Sequence, residues 1–182
     1  MKYYFGGLLT VVCVFLLISQ QLKEITPKQT ESNSDNTNWV WENPVTFKKI
    51  SIPSAWQKAE GAGTEETLLT LAHQTGKSLI NIINEETLED ISLADYVEAL
   101  QDSNQQELGT SEFETIETID GVQLYLSEGS RYINEKIVGS RVSIWSYEPN
   151  NFWRSMMMTN LEYKELEFES KKLVKMLEDS SK

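Results

Sequence analysis

The spacing of apolar residues changes repeatedly along this chain, and those changes constrain its fold more than any other feature. Alternation typical of β-strands runs from residue 45 to residue 83, helical spacing follows from Leu93 to Leu100, alternation returns after Gly109, and helical spacing closes the chain. The predicted strands cover residues 45–52, 67–73, 78–83, 112–119, 122–126, 137–147 and 152–159. Because the strands are grouped together rather than alternating one by one with helices, we expect an α+β domain in which helices flank an antiparallel β-sheet.

Local signals predict where turns and helix ends lie. Residues 74–77 and the dipeptide at 120–121 are typical of hairpin turns. Ser92 and Asp95 form a capping box, with Asp in place of Glu, at the start of the first helix. Residues 159–162 predict the cap of the second helix. That helix is expected to present three leucines on one face, namely Leu166, Leu173 and Leu177.

An apolar run near the N-terminus predicts a membrane anchor. Residues 3–18 carry no charge and no proline, and extension to Leu22 gives the roughly 20 residues that cross a bilayer as a helix. The run ends without the small residues of a cleavage site. Cys13 does not fit a lipoprotein signal, because apolar residues continue after it. We therefore expect residues 1–22 to form an uncleaved transmembrane signal anchor, and secretion after cleavage is the alternative.

The next stretch predicts a tether and an orientation. Lys2 precedes the apolar run, and such positive flanks tend to stay in the cytoplasm. The expected protein is therefore single-pass in the cytoplasmic (inner) membrane, with its N-terminus inside and its domain in the periplasm or outside. Residues 23–38 are predicted to be a flexible polar linker. Aromatic residues begin at Trp39, so the extracytoplasmic domain is expected at residues 39–180.

Charge and cysteine content exclude several partners and sites. The chain has 28 acidic against 16 basic residues, a net charge of −12. Such a surface repels phosphate groups, so we expect no nucleic-acid partner and no lipid-surface role for the domain itself. The single cysteine, Cys13, lies in the apolar run, so the domain contains no disulfide and no thiol nucleophile.

The predicted strand at 45–52 runs into Pro53 and then Trp56, and this opening resembles that of the PsbP-like and Mog-like superfamily, which includes bacterial DcrB-like membrane-associated proteins. Ala55 stands where that family usually has glycine. The order of the later elements is also similar, so the resemblance spans residues 45–180. It implies an α/β/α sandwich around an antiparallel sheet, with the tryptophan in the core. It implies accessory or binding roles rather than one activity, and no functional residues carry over.

Residue counts limit the common catalytic and metal-binding constellations. His73 is the only histidine, so a cluster of histidine metal ligands is impossible. A Ser-His-Asp triad would have to use His73, and a lone histidine at the end of a predicted strand is more often structural or solvent-facing than catalytic. The glycines at 61 and 63 do not open a phosphate-binding strand–helix unit. The chain has no calcium-loop pattern. We therefore expect no catalytic residues, no metal and no cofactor.

Acidic pairs and a methionine run are further candidate sites. Paired carboxylates can hydrolyse sugars, and the candidate pairs are Glu65-Glu66, Glu85-Glu86 and Glu89-Asp90. Adjacent carboxylates on loops usually face solvent instead. Residues 156–158 are three consecutive methionines, and thioethers suit copper(I). Because neighbours on a strand face opposite ways, the three cannot converge on one ion, and core packing is expected.

Aromatic residues at the domain edge are the strongest functional indication in the sequence. Trp39 and Trp41 adjoin the predicted tether, and tryptophan is enriched in binding hot spots, so both are candidate partner-binding residues. The leading hypothesis is a membrane-anchored, non-enzymatic accessory protein that binds an unidentified protein partner. An immunity-type or chaperone-type protein that neutralises one toxin is the alternative, and a carboxylate-based envelope hydrolase is the third.

Overall fold

A computed structural model describes residues 38–59, 64–88, 90–117 and 121–182, and nine strands and two helices lie in these ranges. In chain order they are β1 Trp39–Glu42, β2 Lys49–Ile52, β3 Trp56–Lys58, β4 Thr67–His73, β5 Ser78–Glu86, α1 Leu93–Leu108, β6 Glu114–Glu117, β7 Gln123–Ile133, β8 Lys136–Glu148, β9 Asn151–Asn160 and α2 Lys164–Ser180. The predicted α+β class, with antiparallel strands and two helices, is confirmed.

Seven strands form one antiparallel sheet in the order β3-β4-β5-β9-β8-β7-β6. The chain builds it as two meanders, β3 to β5 and β6 to β9, which α1 joins in sequence. The last strand, β9, pairs with β5 from Ser78↔Thr159 to Glu86↔Asn151. Since β9 has β5 on one side and β8 on the other, it is the central strand, and its side chains are almost all buried.

The two helices pack on opposite faces of this sheet. The residues of α2 share a core with Met157 of β9, whereas α1 shares a separate core with Met156 and Met158. Consecutive strand residues point to opposite faces, so the methionine run contributes to both cores. The expectation that the three methionines do not converge is confirmed. The leucine face of α2 is also confirmed, because Leu166, Leu173 and Leu177 are buried.

Several local predictions are confirmed by the backbone. The turn between β4 and β5 contains Gly76 with φ +65°. Strands β6 and β7 pair as a hairpin that ends at Gly121 with φ +74°, while residues 118–120 lie outside the described residues. The capping box of α1 is present, with Ser92 and Asp95 exchanging hydrogen bonds. The helix continues to Leu108, beyond the predicted segment.

Other local predictions are wrong. The strand predicted at 45–52 is only Lys49–Ile52, because the preceding residues form a turn. Strands β1 and β3 were not predicted, since runs of four and three residues are too short to show a period. The cap predicted at residues 159–162 is also wrong. Thr159 lies within β9, and α2 begins after Tyr163 without a side-chain cap.

The first two strands stand apart from the main sheet. β1 and β2 form a separate two-stranded sheet, paired from Trp39↔Ile52 to Glu42↔Lys49. The side chains of Trp41, Ile50 and Ile52 join the core beneath α2. The described residues contain no helix long and apolar enough to cross a membrane. The predicted anchor at 1–22 and the linker up to residue 37 lie outside the described residues.

Candidate functional site

The two tryptophans singled out from the sequence lie on β1, and both pack against the domain. Trp41 is 9% exposed and belongs to the core that includes Ile50 and α2. Trp39 packs against the same core, and its indole N–H donates a hydrogen bond to the carbonyl oxygen of Trp56 at 2.8 Å. A substitution at either position therefore removes packing as well as any contact with a partner. Their partner-binding role stays a prediction.

The turn between β1 and β2 is closed by one fully buried side chain, that of Asn43. Its backbone N–H donates to the carbonyl of Lys48, and its carbonyl accepts from the N–H of Phe47, both at 2.8 Å. Its Oδ1 accepts from the backbone N–H groups of Val45 at 2.9 Å and of Thr46 at 3.3 Å. Because asparagine can imitate a backbone acceptor, this residue type holds such a turn well.

The same turn is fastened to the C-terminal end of α2. Asn43 Nδ2 donates to the carbonyl oxygen and to Oγ of Ser180 at 3.4 and 3.3 Å. Thr46 Oγ1 donates to the same carbonyl oxygen at 2.5 Å. The last carbonyl groups of a helix lack donors within the helix, so the turn satisfies one of them. These bonds hold the turn against the body of the domain.

The fastened turn presents two apolar side chains to solvent. We call Val45 and Phe47 the hairpin tip; they are 42% and 72% exposed. Val40 of β1, a few residues earlier in the chain, is also exposed, at 63%. The backbone of Phe47 has φ +60°, a left-handed conformation that bulky residues rarely adopt and that costs about 1–3 kcal/mol. An exposed aromatic held in a strained conformation is suited to binding rather than to stability.

Sequence reasoning missed the hairpin tip. Val45 and Phe47 alternate with polar residues as they would on a strand, and the prediction therefore ran the strand through them. The signal that could have found the turn is the dipeptide Asn43-Pro44, which is typical of turns. The sequence carried no signal that Phe47, rather than Trp41, is the exposed aromatic of this hairpin.

One member from each of two predicted acidic pairs acts on the same residue, Tyr96. The Tyr96 hydroxyl donates to Glu85 Oε2 at 2.7 Å, and Glu66 also acts electrostatically on Tyr96. Burial raises the pKa of Tyr96 well above its usual range, with Glu85 adding to the rise, so this hydroxyl stays protonated. A hydrogen bond from Thr64 lowers the pKa of Glu66. A carboxyl with a lowered pKa is a poor general acid at neutral pH.

The remaining members of those pairs are dispersed. Glu65, Glu86 and Asp90 are exposed, and Glu89 lies outside the described residues, as do the glycines at 61 and 63. No group of three metal-ligating side chains occurs among the residues that the structure describes. His73 is half-buried; its Nδ1 lies 2.8 Å from Thr75 Oγ1, and its ring packs edge-on against Trp56. Burial lowers the pKa of His73, and Glu169 partly offsets the effect.

Comparisons with known proteins leave the family open. No family model matches the chain, and no curated protein matches it. Among solved structures it is similar to protein PA94 of Pseudomonas aeruginosa, a protein of unknown function. That similarity has a TM-score of 0.39 at 15% sequence identity, over 68% of this chain and 83% of the other.

Proposed function

We propose that this chain is a non-enzymatic accessory or binding protein, held on the outer side of the membrane by residues 3–22, that captures a protein partner. The hairpin tip is the observation that carries the proposal. It offers apolar side chains, carried by a hydrogen-bonded turn, on the surface of a strongly acidic protein. Because the turn is already ordered, little conformational entropy is lost when a partner covers the tip. Aromatic anchors of this kind dominate binding energy in protein interfaces.

The position of the tip along the chain favours a partner near the membrane. The proposed linker, residues 23–38, leads directly into β1, the strand that enters the turn. A flexible linker of this length spans about 20 Å on average. The proposed partner is therefore a membrane-associated protein with an apolar pocket for Phe47. Basic groups around that pocket would complement the acidic domain.

We also propose that the domain is a PsbP-like or Mog-like α/β/α sandwich. The tryptophan of the motif, Trp56, is 1% exposed, and Ile52 at the end of β2 is fully buried. A helix packs on each face of the antiparallel sheet. The burial of these two residues and the helix on each face of the sheet support a relationship to that superfamily. They do not indicate a particular partner, since that fold serves several.

The test uses the full-length chain, crosslinked in membranes and recovered with its partner. The variant Phe47→Ser removes the aromatic ring of the tip, and Phe168→Ser removes an equally exposed ring from α2, 73% against 72%. We expect Phe47→Ser to reduce partner recovery by about tenfold or more, as hot-spot truncations do. We expect Phe168→Ser to leave recovery unchanged. Thermal unfolding of both variants serves as the control for folding.

Unchanged recovery with Phe47→Ser would contradict the role of the hairpin tip. Failure to recover any partner from the unaltered chain would contradict the accessory function itself. If a partner is found, its identity separates the accessory function from the immunity-type alternative, in which the captured protein is a toxin. A Trp39→Ala/Trp41→Ala variant that folds and loses the partner would extend the site to β1.

A further inference from the structure

A small cavity lies at the end of the sheet farthest from the β8–β9 turn. It is bounded by the β4–β5 turn, the β7–β8 turn and the end of β9. Its volume is about 90 Å³, well above the roughly 10–15 Å³ that a cavity needs to hold one water molecule. Its lining includes three apolar residues, Leu79, Val138 and Met158. An apolar group of a few atoms fits there with little loss of packing.

The charges at this cavity are opposite to those of the rest of the protein. Lys77 and Lys136 are part of its lining, and no carboxylate is. Among the described residues, no ion pair includes either ammonium group. The chain as a whole has a net charge of −12, so two lysines at an apolar cavity make this part of the surface locally favourable for an anion.

The walls of the cavity are held by the backbone. The N–H of Asn160 donates to the carbonyl of Lys77 at 2.9 Å, which ties the β4–β5 turn to the end of β9. On the other side, Asn134 and Glu135 have φ +50° and +66°, so the β7–β8 turn is a tight two-residue hairpin. A cavity between two closed turns is preformed and needs no rearrangement to accept a ligand.

We propose that this cavity binds a short-chain carboxylate. The apolar chain would lie against Leu79, Val138 and Met158, and the carboxylate would lie between Lys77 and Lys136. The small volume favours a short ligand such as butyrate or hexanoate, because longer chains would extend into solvent. This site is separate from the hairpin tip, and its test does not depend on the proposed protein partner.

The experiment follows methionine methyl groups by NMR in the full-length chain, labelled with [methyl-¹³C]methionine and held in lipid nanodiscs. Met158 lines the cavity, whereas Met176 lies on the outer side of α2 and Met157 in the opposite core. Titration with butyrate and hexanoate is expected to shift the Met158 resonance saturably, with a dissociation constant of about 1 mM for so small a ligand. The resonances of Met157 and Met176 are expected to stay in place.

Matched variants test the charge and the cavity. Lys77→Gln/Lys136→Gln is expected to weaken binding about tenfold or more, because it removes both cations. Lys48→Gln/Lys172→Gln, which removes two exposed lysines elsewhere, is expected to leave binding unchanged. Leu79→Phe is expected to abolish the shift by filling the cavity. An undisturbed Met157 resonance shows that each variant is folded.

Three results would overturn the proposal. One is the absence of a saturable Met158 shift with either acid. The second is an equal shift in the Lys77→Gln/Lys136→Gln variant. The third is equal binding of hexanamide, which would show that the charge of the ligand is irrelevant.

Discussion

Arg154 carries a buried charge on the central strand of the sheet. It is 6% exposed and lies between Ile83 of β5 and Ile144 of β8. Within the described part of the chain its Nε has no hydrogen-bond partner, and no ion pair includes it. Its charge contributes to lowering the pKa of Glu66 and opposes the rise at Tyr96. Burying such a charge costs free energy, because long-range electrostatic attraction replaces only part of the hydration that is lost.

Replacing Arg154 with methionine is therefore expected to stabilise the domain. Methionine retains much of the aliphatic packing and removes a buried polar group that is incompletely hydrogen-bonded, so we expect the free energy of unfolding to rise by about 1–3 kcal/mol. Urea denaturation measures the change. In the control, Arg141→Met, the lost guanidinium is paired with Glu128, and no increase is expected. A fall in stability for Arg154→Met would show that the arginine has a stabilising partner.

Between elements, one carboxylate joins two strands to a helix. Oε1 of Glu128 on β7 lies 2.9 Å from Nη1 of Arg141 on β8 and 3.4 Å from Nζ of Lys171 on α2. Burial raises the pKa of Glu128, but the hydrogen bond from Arg141 and the charge of Lys171 together lower it below its ordinary value. The folded state therefore binds the proton of this group more weakly than the unfolded state does.

Glu128→Gln is expected to lower stability at neutral pH and to have no such effect in acid. Because the folded pKa is depressed, the stabilisation is present above the unfolded pKa of about 4.3 and is lost as the pH falls through the folded pKa. The Glu128 side chain is 47% exposed, so solvent screening limits the effect to below about 1 kcal/mol. Urea denaturation at pH 7 and in acid measures it. An equal deficit at both pH values would contradict the electrostatic explanation.

At the scale of the whole molecule, the C-terminal end of α1 lies directly against strand β7 of the sheet. Gly109 ends the helix with φ +65°, and Thr110 bridges to Gly129 of β7. A Cβ atom at Gly129 would lie 2.0 Å from the carbonyl oxygen of Gly109. The helical layer can therefore meet the sheet only if this strand position has no side chain.

Gly129→Ala is expected to destabilise the whole domain. The added methyl group collides with the backbone of Gly109 and Thr110, directly after α1, so we expect a loss of at least about 2 kcal/mol in the free energy of unfolding. Gly76→Ala is the control, because a Cβ there meets nothing within 4 Å and only the positive φ is strained. Its expected cost is about 1 kcal/mol. Equal losses in the two variants would contradict a steric role for Gly129.

The sequence by itself determined the features that depend on near neighbours. The period of apolar residues determined the α+β class, and β4 has the predicted bounds, Thr67–His73. The capping box at Ser92 and the turn at Gly76 followed from hydrogen bonds and backbone freedom within a few residues. The divergence of the three consecutive methionines was also predictable, because neighbouring side chains on any strand point to opposite faces.

Only the tertiary structure decided what depends on distant residues. The pairing of β9 with β5, the burial of Trp41 and the exposure of Phe47 each require segments far apart in the chain to meet. The turn that bears Phe47 is held by Ser180, more than a hundred residues later. Periodicity shows that a strand or helix has an apolar face. The segment of the chain that packs against this face determines which of its side chains become buried. For that reason the candidate site emerged from the fold.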